Sequence, residues 1–140
     1  MKLVLIAGCL LCQLMVMAQE GRGRTCDAAT LKNAYGLLVT GTRTIGAGQA
    51  EKFVTVSMVT FDGNGAFTAN GVSHGSTTGV RRGPATGTYA VNSDCTGTWT
   101  TNIPGVPPLV ADFVIIDRGR EVRAVSVSAG EISTANARRR

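Results

Sequence analysis

The chain has 140 residues, a formal net charge of +5 and only 16% charged side chains. That length suits one domain, and low charge with recurring β-branched blocks excludes a disordered chain. Glycine, at 18 residues, exceeds its usual share, and glycines between short apolar blocks read as turns joining many short strands.

Residues 1–18 (MKLVLIAGCLLCQLMVMA) begin with Lys2, continue as an apolar run broken only by Gln13, and end on Val16-Met17-Ala18. This is the pattern of a cleavable secretory signal peptide. The run of about 15 apolar residues is short for the ~20 of a spanning helix. Ile6-Ala7-Gly8-Cys9 resembles a lipoprotein box, but the apolar stretch ahead of it is too short. Cleavage after Ala18 removes Cys9 and Cys12 and leaves Cys26 and Cys95. An even pair in an exported chain reads as one disulfide. It would close a loop of about 70 residues and contribute roughly 4 kcal/mol on a loop-entropy argument. The alternative is two buried free thiols. The expected location is the periplasm or the cell exterior, and no transmembrane span is expected after cleavage.

Residues 19–25 read as a flexible, polar lead-in. Residues 26–32 suit one helical turn capped by Asp27, and Cys26 would pin this segment. Residues 34–42 form the first strand, with Tyr35, Leu37 and Val39 on one face. Residues 42–51 read as a loop. In residues 52–61 (KFVTVSMVTF), Val54, Val56 and Met58 alternate, then Val59 and Phe61 alternate in the opposite phase, which suggests a bulge or a change of face. Asp62-Gly63-Asn64-Gly65 is a strong hairpin turn, and residues 66–70 return with Phe67 inward. Residues 71–83 are glycine- and serine-rich, with at most a short polar edge strand.

Residues 84–101 (PATGTYAVNSDCTGTWTT) are the hairpin that organises the chain. Tyr89 and Val91 share one face of its first strand. Cys95, Gly97 and Trp99 share one face of its second, with Thr96, Thr98 and Thr100 opposite. Trp99, the sole tryptophan, belongs on the inner face, and Asp94 and Thr96 suit local backbone bonds at the turn. Residues 102–108 are a proline loop. Residues 109–116 are the most hydrophobic strand after the leader, with Phe113 and Ile115 on one side. Residues 117–120 turn the chain, residues 121–127 pair back with Val125 and Val127 inward, and residues 131–134 can close the sheet. Residues 136–140 read as a basic tail.

Seven or eight strands with short sequential connections favour antiparallel neighbours, and closing such a meander removes its edges. The expected fold is all-β: a small antiparallel β-barrel over residues 26–135, with a two-sheet β-sandwich as the alternative. Its structural core centres on Tyr89, Trp99 and Phe113, joined by Leu37, Phe61, Phe67 and Val125.

Gly87-Thr88-Tyr89, Val91-Asn92 and Asp94-Cys95-Thr96-Gly97-Thr98 form a GTYxVNxDCTGT pattern. It is accompanied by Tyr35-Gly36, by Phe61-Asp62-Gly63-Asn64-Gly65, and by Asp117-Arg118-Gly119-Arg120-Glu121. Together these resemble a group of small exported bacterial proteins of unknown function, over about residues 26–133. The resemblance implies export and a compact β domain, and it implies no catalytic residue. The plan is also similar to calycin and allene-oxide-cyclase barrels, a likeness of fold that does not fix function.

Signals for chemistry are thin. His74, the sole histidine, lies in a Ser-His-Gly-Ser stretch and reads as exposed. Asp112 interrupts an apolar strand; it is solubilising if Phe113 is inward, and an acid–base candidate if the faces are reversed. Arg118 and Arg120, with Arg81, Arg82 and Arg123, are candidate anion contacts at turns and strand ends. Asp62 and Asn64 lack the later ligands of a calcium loop. No metal, cofactor or catalytic residue is assigned, and no aromatic interleaving supports nucleic-acid binding. The expected function is a non-enzymatic binding or interaction module, with a cell-surface component as a candidate partner. The alternative is a barrel holding a small apolar ligand, in one version a cyclase or isomerase. A cavity above about 300 Å3 with one or two inward polar groups would favour that alternative.

Overall fold

The structure is a computed structural model that describes residues 25–140. The leader assigned to residues 1–18, and all of the lead-in except Thr25, lie outside the described residues. The rest is a closed barrel of eight antiparallel strands, each paired with its neighbours in sequence. They are β1 (Lys32–Ile45), β2 (Gln49–Asp62), β3 (Ala66–Gly75), β4 (Gly79–Val91), β5 (Thr96–Asn102), β6 (Leu109–Ile116), β7 (Glu121–Ser126) and β8 (Glu131–Arg139). β8 closes the ring on β1, from Tyr35↔Arg139 to Arg43↔Glu131.

The wall is uneven in height. β1 and β2 pair over their whole length, from Lys32↔Asp62 to Ile45↔Gln49. β4 and β5 pair only between Thr86↔Asn102 and Val91↔Gly97. Pro84 lacks an N–H and suits a strand only where one side is free. Pro104, Pro107 and Pro108 take the chain out of the sheet before β6. The upper part of β4 is therefore paired with β3 alone.

One end of the barrel is solid. Phe61 is its hub, edge-on to Tyr35 and Tyr89 at centroid distances of 5.2 and 5.1 Å, while Trp99 stacks on Phe113 at 5.2 Å. Such aromatic pairs each contribute about 0.5–1.5 kcal/mol beyond their buried area. Inward glycines make room for the rings. A Cβ on Gly87 would lie 2.1 Å from Phe67 Cζ, and one on Gly97 would lie 2.3 Å from Phe113 Cζ.

The segment before β1 plugs this end. Residues Ala28–Thr30 make one 3-10 turn, capped as expected by Asp27, whose Oδ1 accepts from Thr30 N at 3.1 Å. The Cys26–Cys95 disulfide fastens the plug to the β4–β5 turn. Tyr89 Oη donates to the carbonyl oxygens of Ala28 and Leu31, both at 3.0 Å, and Leu31 is fully buried.

Five expectations need correction. Residues 42–51 are mostly strand, because β1 and β2 run on to a three-residue turn at 46–48. β2 carries no bulge: its pairing with β1 and β3 is one-to-one throughout. Val54, Val56 and Met58 point outward and are at least 40% exposed, while Phe53, Val59 and Phe61 point inward. Residues 71–83 are strand arms of β3 and β4 around a tight turn; their small and polar side chains hide the alternation. Val125 and Val127 face out, because the Phe113↔Ala124 and Ile115↔Val122 pairs fix the phase of β7 with Val122 inward. Finally, residues 136–139 belong to β8 rather than to a tail. Arg139 donates to Tyr35 Oη and, at 3.1 Å, to Thr30 O.

Candidate functional site

The other half of the barrel is hollow. Inward positions that would fill it hold small residues: Ser57 on β2, Ala69 and Gly71 on β3, Ala85 on β4, and Ala135 on β8. The resulting cavity has a volume of about 350 Å3. Its floor is the top of the aromatic core, at Phe61, Phe67 and Trp99. Leu37, Val39, Phe53 and Val59 form an apolar wall, and the loop after β5 contributes Ile103 and Val106. Hydroxyls ring the middle, where Thr55 Oγ1 donates to Ser73 Oγ at 2.9 Å.

The mouth carries the charge, with Arg43, Arg81, Arg82 and Glu131 lining it. Behind Arg43, and outside the cavity lining, stands Glu51, whose side chain is fully buried. Arg43 Nε lies 2.7 Å from Glu51 Oε1, and the guanidinium covers the Phe53 ring at 4.9 Å. Glu51 also accepts from Thr77 N at 3.1 Å and Thr78 N at 2.9 Å, and from the Thr78 hydroxyl. Loss of water by burial acts to raise the Glu51 pKa. The Thr78 and Thr77 N–H groups, the Arg43 guanidinium and the Thr78 hydroxyl outweigh it and hold the pKa at about 2, from 4.5. Glu51 thus ties β2 to the β3–β4 turn and fixes Arg43. Across the mouth, Arg81 Nη2 donates to Pro104 O, fastening the upper part of β4 to the loop. Glu131 Oε1 accepts from Ser133 Oγ at 2.6 Å.

The residues singled out in the sequence lie elsewhere. Asp112 is on the outer wall, accepting from Thr98 Oγ1 at 2.8 Å. His74 is exposed, on the outer face of β3. Arg118 and Arg120 sit at the plugged end, where Arg120 pairs with Asp117. Asp62 and Asp94 serve their turns: Asp62 accepts from Asn64 N and Ala66 N, and Asp94 from the Thr96 hydroxyl and N–H. Those bonds lower both carboxyl pKa values. Tyr89, Trp99 and Phe113 are buried in the core. Arg43, Glu51 and Glu131 escaped sequence reasoning because each lies in or beside a stretch that reads as a loop. The cavity itself had a signal: small residues at every second position of β3 and β8.

Among the described residues, no group of three or more His, Cys, Asp or Glu side chains is placed to hold a metal ion. No described helix is long and apolar enough to cross a membrane. The outer wall is mixed: Thr86, Thr88, Thr98, Asp112 and Arg123 face outward, and so do Leu38, Val54, Val56, Met58, Val114 and Val125. The chain matches no known protein family, no curated protein and no solved structure.

Proposed function

We propose that this is an exported barrel that binds a small apolar molecule in its interior. The observation that carries the reading is the cavity of about 350 Å3, apolar at its floor and polar at its mouth. Ligand sites are concave, mostly apolar and supplied with a few placed polar groups, and this cavity fits that description. The residues that bound it are held by the disulfide-fastened plug below and the Glu51 network above, so the site is preformed. Export is supported by the pattern of residues 1–18 and by the Cys26–Cys95 disulfide, since such bonds persist in oxidising compartments.

Titration of the protein with 1-decanol, followed by calorimetry, tests the binding reading. Saturable binding is expected, and Ala135→Phe, which fills the cavity, abolishes it in a protein that still melts cooperatively. Absence of binding, or binding that survives the filled cavity, rejects the reading. For export, N-terminal sequencing of the mature protein from its native source is expected to begin at Gln19.

A further inference from the structure

Resting on that binding reading, the geometry points to a more specific ligand class: a short alkyl chain with a single anionic head, the chain in the barrel and the head at Arg81.

Size sets the chain. If each heavy atom takes the ~30 Å3 of a liquid water, the cavity of about 350 Å3 accommodates on the order of twelve heavy atoms. Polarity sets the direction. The floor at Phe61, Phe67 and Trp99 is sealed, so a polar head can only lie at the mouth.

Charge sets the head, and it is not spread evenly. On one rim Arg43 stands between two glutamates, paired in register with Glu51 on β2 and Glu131 on β8. Its Nε is already bonded to Glu51 and its Nη2 to Thr78 Oγ1. This rim carries one positive and two negative groups. Three strands around the ring from Arg43, β4 carries Arg81 and Arg82. Neither forms an ion pair among the described residues, and the Arg81 guanidinium donates to the neutral Pro104 carbonyl. Both line the mouth, but Arg81, paired in register with the inward Ser73, is the one whose guanidinium reaches the Pro104 carbonyl of the loop after β5, so Arg81 is the one placed to meet a head group. A guanidinium with several unused donors on an exposed rim suits a carboxylate or a sulfate. A cationic head would have to displace the Ser133 hydroxyl from Glu131 and face the arginines.

Three probes of equal chain length separate the possibilities: decanoate, 1-decanol and decylammonium, titrated by calorimetry at low ionic strength. The expected order is decanoate tighter than decanol by about tenfold, the yield of one good charge-assisted contact, with decylammonium weakest. In Arg81→Gln, which keeps a donor for the Pro104 carbonyl, decanoate falls to within about twofold of decanol, and Arg81→Lys recovers part of the preference. Decanol binding as well as decanoate to the native protein, or a preference that survives Arg81→Gln, overturns the anionic-head inference and leaves the cavity reading standing. Binding of none of the three overturns both.

Discussion

Arg43 Nε and Glu51 Oε1 stand 2.7 Å apart, with the glutamate wholly buried and the arginine at the cavity mouth. Glu51 is ionised in the fold with a pKa of about 2, against an ordinary 4.5. Between those values the unfolded chain binds more protons, so the Glu51 contribution is complete above about pH 4.5 and is lost as pH falls through about 2. Glu51→Gln is expected to lower the melting temperature at pH 7. The difference from the native protein should shrink steadily below about pH 4.5 in thermal melts. A difference independent of pH would assign the loss to packing alone.

Trp99 lies between the core and the cavity, stacked on Phe113 and lining the floor. Being the sole tryptophan, it reports on both. Occupation of the cavity by decanol is expected to change its emission, saturating with the same midpoint as the calorimetric titration. Trp99→Ala should cost about 3–5 kcal/mol, the usual range for a buried aromatic, measured by denaturant unfolding.

Gly97 and Gly36 make a controlled pair. A Cβ at Gly97 meets Phe113 Cζ and Ala90 O at 2.3 Å, whereas one at Gly36 meets nothing within 4 Å. Gly97→Ala is expected to destabilise by about 1–3 kcal/mol or more through overpacking. Gly36→Ala should be neutral or stabilising by up to about 1 kcal/mol, through a less flexible unfolded chain. Equal effects at the two sites would contradict the inward and outward assignments.

The Cys26–Cys95 bond spans 69 residues and holds the plug on the barrel end. The double variant Cys26→Ala, Cys95→Ala is expected to lose about 2–5 kcal/mol, the typical range for a native disulfide in a small exported domain. Amide exchange should rise first around Leu31, where the plug closes the end. Unchanged protection there would show that the Tyr89 hydroxyl, the Arg139–Thr30 bond and the burial of Leu31 retain the plug without the disulfide.

The fold was legible wherever large side chains alternate. Tyr89 against Trp99, Phe61 against Phe67 and the strong turn at residues 62–65 each marked a strand and its inner face, and the short connections between such blocks implied closure. Legibility failed where the interior is empty. Inward Thr55 and Ser57 are small and polar, so the outward alternation of Val54, Val56 and Met58 against Val59 and Phe61 read as a bulge or a change of face. In and just after β7, Val125 and Val127 looked inward because the inward Ala124 and Ser126 are smaller. The site was less legible than the fold. A cavity is made by what side chains leave unfilled, and its charged rim comes from Arg43, Arg81 and Glu131, each from a separate strand. Only the barrel register brings these three to one end.

The ring closes through pairs such as Tyr35↔Arg139, which joins the first strand to the last. Until that seam forms, β1 and β8 are both open edges able to pair with other chains. Neighbouring hairpins can assemble early, but the seam demands one contact of very long sequence separation, and such contacts slow folding. Any chain made only part-way through β8 therefore carries a sticky seven-strand sheet rather than a barrel. The hazard falls on the period between synthesis and closure, and it is then that an assisting chaperone would matter most.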